Sequence, residues 1–129
     1  LGLGQPTATP IPFDRLSVQD VFGAFARAGL EVQNPVKSVE ALGRGAPSEF
    51  KDRYLFEIPR IAPAGGQIIA FANAQQLQAW QAYIDTLRNN SATRRDVIYV
   101  YVHGNILLQL NANLTNAEAA AYRDALAGL

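Results

Sequence analysis

His103 is the single histidine of a chain that has no cysteine, so any nucleophilic or acid–base chemistry would have to be assembled around one imidazole. A Ser-His-Asp arrangement needs a nucleophile and an orienting carboxylate within reach of that ring. No G-x-S-x-G elbow or comparable nucleophile context occurs, and His103 stands beside a Gly104-Asn105 turn, where a lone histidine reads as an exposed polar residue. Metal binding would fall to carboxylates, but Asp14, Asp20, Asp52, Asp85, Asp96 and Asp124 are scattered and none shows the spacing of a calcium loop. Gly43-Arg44-Gly45 and Gly65-Gly66 lack the patterns that set backbone amides around a phosphate. Turn chemistry accounts for both, the second closing a hairpin between Pro59 and Gln67. A glycosidase pair would need two acids at a defined separation. Glu57 falls on a strand and Glu40, Glu49 and Asp52 in the loop before it, which neither joins nor separates them. No catalytic residue, cofactor site or metal site is assigned.

Eleven basic and eleven acidic residues cancel, and no run of one sign provides the footprint of a nucleic-acid or anionic-membrane binder. The nearest approach is Arg88, Arg94 and Arg95 around Asn89-Asn90-Ser91, read as a solvated connection. The 129 residues suffice for one domain whose core needs no staples. The chain contains no methionine, which points to removal of a segment ahead of Leu1. Residues 1–13 open with LGLGQPTATPIP, a composition suited to an extended spacer, and residues 14–129 form a single domain. No apolar run reaches the roughly 18 residues of a membrane span, so any signal or lipid anchor lies upstream.

The domain has to be built from elements with clear punctuation. Ser17 caps a helix with Asp20 three residues on, Val18, Val21, Phe22, Phe25 and Ala28 recur at helical spacing, and Gly29 ends it. Leu30-Glu31-Val32-Gln33 alternates as a short strand that stops before Asn34-Pro35. Residues 36–51 are weakly patterned and read as loop with one helical turn over 38–42. Residues 53–59 form a strand with Tyr54, Phe56 and Ile58 on one face and Leu55 and Glu57 on the other. Residues 67–72 return as the next strand, and Asn73 caps a helix with Leu77, Trp80, Tyr83, Ile84 and Leu87 along one stripe. Residues 96–102 and 106–111 form a hairpin, and Thr115 with Glu118 is a capping box for a last helix burying Ala119, Tyr122, Ala125 and Leu126.

The expectation is an α+β fold: an antiparallel-rich sheet of about five strands, helices packed mainly on one face, order α-β-(ββα)-(ββα). Tyr83-Ile84-Asp85-Thr86-Leu87 and Tyr122-Arg123-Asp124-Ala125-Leu126 share Y-x-D-x-L and hint that the ββα unit is duplicated. The register of the last hairpin is open. A two-residue Gly104-Asn105 turn, which its chemistry favours, pairs Tyr99 with Leu110 and Tyr101 with Leu108. A three-residue loop that includes His103 instead gathers Ile98, Val100, Val102, Ile106, Leu108 and Leu110 on one face and gives the cleaner binary pattern; the one-residue slip inverts every side chain.

The candidate ligand or partner surface is aromatic and polar: Tyr99 and Tyr101 with Gln109 and Asn111 as neighbours across the hairpin. The competing structural reading has a helix covering that face and the tyrosines in the core.

The spacer Gln5-Pro6-Thr7-Ala8-Thr9-Pro10 and the core runs Phe56-Glu57-Ile58-Pro59 and Val100-Tyr101-Val102-His103-Gly104-Asn105-Ile106-Leu107-Leu108-Gln109-Leu110-Asn111 together resemble the soluble part of small bacterial lipoproteins of unknown function. In these a Thr/Pro-rich spacer follows a lipidated cysteine. The resemblance implies a non-catalytic, extracytoplasmic, membrane-tethered domain that binds a protein partner or small ligand through a sheet surface. It brings no active-site motif. Two alternatives stand beside it: a small hydrolase or lyase using His103 with a nearby carboxylate, and a structural homodimer formed by sheet faces or edges.

Overall fold

A computed structural model describes residues 10–39 and 45–129. The elements follow one another as α1 (Val18–Arg27), β1 (Gln33–Lys37), β2 (Asp52–Glu57), β3 (Gly65–Ala70), α2 (Ala74–Arg88), β4 (Tyr99–His103), β5 (Ile106–Leu110) and α3 (Asn116–Ala127). This is the expected α+β order. The five strands form one antiparallel sheet in the spatial order β1-β2-β3-β5-β4.

The helix starts are set by side chains that take up otherwise unpaired amides. The Asp20 amide donates to Ser17 Oγ at 3.0 Å while the Ser17 amide donates to Asp20 Oδ2 at 2.8 Å. Thr115 and Glu118 repeat the reciprocal box at 2.8 and 3.1 Å. Asn73 Oδ1 accepts from the Gln76 amide at 2.9 Å. Gly29, at φ 72°, turns the chain out of α1 in a conformation that costs residues with a Cβ energy.

Helices cover both faces of the sheet, two on one and one on the other. Val18, Val21 and Phe25 of α1 and Ala119, Tyr122 and Leu126 of α3 pack with Phe56, Ile68, Leu108 and Leu110. On the opposite face Leu77, Trp80 and Ile84 of α2 pack with Ile69, Phe71 and Leu107. The central strands are therefore apolar on both sides, which is why Ile68-Ile69 and Ile106-Leu107-Leu108 read as unbroken apolar runs.

Several expectations are corrected at this point. β1 does not stop before Asn34-Pro35 but begins at Gln33 and runs through it to Lys37. The register shifts between Gln33 and Val36, and Asn34 takes φ 52°. An edge strand can hold a proline because one row of its backbone groups faces no partner. The chain before β4 is not extended from residue 96: Arg94–Val97 is a turn of 3₁₀ helix. Thr93 Oγ1, donating to Leu87 O at 2.6 Å, and Arg94 Nε, donating to Arg88 O at 3.1 Å, tie that turn to the end of α2. Gly65 and Gly66 are not the turn of a hairpin but paired residues of β3, opposite Glu57 and Phe56. A Cβ on Gly65 would stand 2.1 Å from Phe56 O, and one on Gly66 2.5 Å from Gln109 O, so close strand approach explains both. The duplicated ββα unit is not a symmetric repeat, since a two-fold axis normal to the sheet would keep both helices on one face. Here α2 and α3 lie on opposite faces. The helical turn expected over 38–42 falls largely outside the described residues.

The hairpin register is the two-residue one. Tyr99 pairs with Leu110, Tyr101 with Leu108 and His103 with Ile106, and Gly104 takes φ 56°. Turn chemistry decides the register. Binary pattern could not, because both faces of the hairpin meet apolar layers.

Candidate functional site

The face of the sheet under α2 divides along its strands into an apolar half and a polar half. Ile69, Phe71 and Leu107 lie in the layer that α2 covers. Two residues further along β3 and β5, the same face carries Gln67 and Gln109, which are directly opposite each other in the ladder. β2 contributes Leu55, paired with Gln67, and two residues away on the same face Arg53. Period-two alternation thus sets Arg53, Gln67 and Gln109 in a row across three adjacent strands.

Hydrogen bonds orient every member of the row. Arg53 donates from one terminal nitrogen to Ser38 Oγ at 2.8 Å and from Nε to Gln67 Oε1 at 2.7 Å. Gln67 Nε2 donates to Gln109 Oε1 at 2.7 Å, and Gln109 Nε2 donates to the Asp96 carbonyl at 2.7 Å. Only 6% of Arg53 is exposed. A buried guanidinium needs such partners to offset the loss of water, and the chain of donors leaves each amide in one fixed orientation.

Above this row lies a cleft of about 320 Å³, with Gly65, Gly66, Gln67, Gln109 and Asn111 in its lining and Arg95, Asp96 and Asn113 beside them. Two causes open it. The buried stripe of α2 lies over the apolar half, and Gly65, on the same face as Gln67, adds no side chain at the start of β3. Arg95 donates to Asn113 Oδ1 at 3.0 Å, and Leu55, 41% exposed, gives the cleft an apolar edge. The arrangement offers amide and guanidinium donors and amide acceptors over a rigid sheet floor, which suits reversible binding of a small polar molecule. No nucleophile with an adjacent base lines it.

The four residues singled out from sequence do not come together. Gln109 and Asn111 line the cleft, whereas Tyr99 and Tyr101 lie on the opposite face, half-buried against the layer of α1 and α3. The Tyr99 hydroxyl reaches Leu114 O at 3.0 Å and Asn116 Oδ1 at 2.8 Å, holding the loop that leads into α3. Arg123 of α3 stands 6.0 Å from the centre of the Tyr101 ring, and burial pushes the Tyr101 hydroxyl pKa upward. The competing structural reading describes the tyrosines: a helix covers their face. Sequence reasoning missed Arg53 and Gln67 and placed Arg95 in a solvated connection. Gln67, like Gln109, was recoverable in principle as a polar residue at an inward-facing strand position, once the strand pairing was known.

His103 is half-buried at the end of β4, where its Nε2 meets the Leu129 carbonyl oxygen at 2.8 Å. Among the described residues it joins no carboxylate in an ion pair. Of the acids considered as a pair, Asp52 and Glu57 are separated: Asp52 faces Lys37 at 3.6 Å, and Glu57 accepts from Gln33 and Asn34 at 3.3 and 3.2 Å. They stand at opposite ends of β2, roughly 17 Å apart at the rise of an extended strand, well beyond the separation that glycoside hydrolysis uses. Glu40 lies outside the described residues. Of the three arginines, Arg88 donates to Val97 O at 3.1 Å and forms an ion pair with Asp85 at 3.7 Å, and Arg94 donates to Arg88 O. With Arg95 on Asn113, all three brace connections.

Compared with protein-family models, curated proteins and solved structures, the chain finds no significant match.

Proposed function

We propose that the chain is a non-catalytic binding domain that takes a small polar ligand on its sheet surface, in the cleft over Gln67, Gln109 and Asn111. The observation that carries this reading is the fixed polar row flooring a cleft of about 320 Å³. A site whose donors and acceptors are already oriented loses little entropy when a ligand arrives. The ligand chemistry that fits is a molecule with hydroxyl, carbonyl or carboxylate acceptors and a short apolar side to rest on Leu55.

The same reading makes the domain extracytoplasmic and tethered. Its support is the Gln5-Pro6-Thr7-Ala8-Thr9-Pro10 composition ahead of the domain; no helix among the described residues is long and apolar enough to cross a membrane. A tether would then be a lipid or signal segment upstream of the spacer.

The test is a nuclear magnetic resonance screen of the ¹⁵N-labelled 129-residue chain against monosaccharides, free amino acids and dicarboxylates. Binding is expected to move the side-chain amide signals of Gln67, Gln109 and Asn111, and Gln109→Leu is expected to abolish the shifts while the remaining spectrum stays folded. Shifts confined to Tyr99, Tyr101 and α3, or an unmoved spectrum at millimolar ligand, would refute the assignment.

A further inference from the structure

The two edges of the sheet are built differently. β1 is guarded: it carries Pro35, a register shift, the left-handed Asn34 and an exposed lysine, Lys37. Those are the devices by which native sheets prevent another strand from adding to an edge. β4 has none of them. Its sequence, Tyr-Val-Tyr-Val-His, is regular and β-prone, it pairs residue for residue with β5 without interruption, and it carries no formal charge. Among the described residues, no backbone group of Tyr99–His103 is hydrogen-bonded outside the sheet ladder.

Which groups face outward follows from the turn. A two-residue hairpin is closed by a hydrogen-bonded pair, His103 with Ile106, and in an antiparallel ladder such pairs alternate with pairs whose amides and carbonyls point away. Val100 and Val102 are the residues that point away. Their side chains lie on the α2 face, beside a groove of about 350 Å³ between α2 and β4. Val102 is 41% exposed there, and Ile98, just ahead of β4, is 53% exposed.

We infer that β4 is a homodimerisation edge, on which a second copy of this chain adds its own β4 antiparallel, about a two-fold axis at Tyr101, to make a continuous sheet of both subunits. In this register Val100 of each copy opposes Val102 of the other, so outward backbone groups meet outward backbone groups and the half-buried Val100 of one copy covers the exposed Val102 of the other. The self-complementarity of the strand selects a second copy over an unrelated peptide. Charge agrees: the chain has net charge +0, so copies do not repel. The rim on the α2 side carries Asp85 with Arg88, and the rim on the α3 side carries Arg123 with Asp124. A two-fold axis can set each charge against its opposite.

The test is the solution mass of the 129-residue chain by light scattering from micromolar to millimolar concentration, with amide hydrogen exchange. The wild type is expected to reach twice the 14.0 kDa of one chain and to protect the Val100 and Val102 amides as it does so. Val102→Pro removes an amide that faces away from β5, so the hairpin should tolerate it, and the mass should fall by half. Val102→Lys, which places a charge on the edge without touching the backbone, should do the same. A wild type that stays monomeric at millimolar concentration overturns the proposal, as does a dimer that both variants retain. If Val102→Pro unfolds, Val102→Lys and the exchange of the Val100 and Val102 amides decide. Protection of those amides only upon adding an extended foreign peptide would give the edge to another partner and also overturn it.

Discussion

Asn105 is the residue whose removal most directly tests how the domain is held together. It is fully buried, and its side chain acts as a short artificial strand. Its Oδ1 accepts from the Leu16 amide at 3.2 Å, and its Nδ2 donates to the Leu16 carbonyl at 2.8 Å and to the Phe71 carbonyl at 3.2 Å. One amide therefore joins the lead-in to α1, the end of β3 and the β4–β5 turn. Asn105→Ala deletes three hydrogen bonds and leaves buried main-chain groups without partners, for which about 1 kcal/mol each gives a loss of about 3 kcal/mol. For a domain of this length that corresponds to a fall in melting temperature of roughly 10 °C. Urea denaturation should show a lower midpoint with an unchanged slope, and the Leu16 amide should exchange faster than its neighbours in the core. Asn105→Asp sharpens the test, because at neutral pH it sets a carboxylate oxygen against two carbonyl oxygens and should cost more than the alanine. Burial and those carbonyls raise the new carboxyl's folded pKa above the unfolded value of about 3.9. Relative to wild type, this variant should therefore recover as pH falls through that raised pKa and lose stability as pH rises through it. A loss below about 1 kcal/mol for Asn105→Ala, set against that hydrogen-bond magnitude, or a wild-type Leu16 amide no slower than a surface amide, would refute the clamp.

Two further outcomes are expected. The Arg60 guanidinium hydrogen-bonds to Glu118, which also accepts from the Thr115 amide, and these hold the Glu118 carboxyl down to about 2 from its ordinary 4.5. A depressed carboxyl stabilises the fold above its unfolded pKa and loses that effect as pH falls to the folded one. The stability gap between wild type and Glu118→Gln should therefore be full above about pH 5 and close toward about pH 2, read from urea midpoints across that range. Trp80 is 2% exposed, and its indole N–H has no hydrogen-bond partner among the described residues, so Trp80→Phe should lose ring packing without any hydrogen-bond penalty, while Trp80→Ala should cost about 3–5 kcal/mol. Thermal unfolding followed by circular dichroism would compare them, and a Trp80→Phe as damaging as Trp80→Ala would contradict this account of the site.

The elements that sequence reveals well here are those whose signals are local. The Ser17, Asn73 and Thr115 caps depend on neighbours within a few residues and stand where expected, and of the two hairpin registers left open it is the one favoured by local turn chemistry that forms. Misread features depend on a partner distant along the chain. Pro35 argues against a strand until β1 is known to be an edge, and Gly65-Gly66 argues for a turn until Phe56 and Gln109 are known to press against it. Asn105 is chosen for its turn and also for Leu16, which lies 89 residues away in sequence, a relation no window can contain. The candidate surface failed to assemble for the same reason. Tyr99, Tyr101, Gln109 and Asn111 are close along one hairpin, but a sheet separates side chains by face, and the face is set by register.

That separation also shows how one small sheet could carry both the proposed cleft and the proposed dimer edge. A strand buried on both sides has no surface to offer, and β3 and β5 are such strands wherever helices cover them. Binding groups can then appear only where helix cover ends or where strand pairing ends. The cover ends at Gln67 and Gln109, where inward-facing positions change from apolar to amide and Arg53 completes the row. The pairing ends at β1 and β4, and only β1 carries the proline, lysine and register shift that close an edge to other strands. Cleft and edge lie in different parts of the sheet, on different strands apart from their common neighbour β5. Val102→Lys and Gln109→Leu should therefore act independently: the first changing the mass of the particle and leaving the cleft amides unmoved, the second silencing the cleft at unchanged mass. Coupling between them would require the β4–β5 ladder to shift register as the edge pairs, which would turn Val100 and Val102 to the opposite face and draw the Asp96 carbonyl away from Gln109.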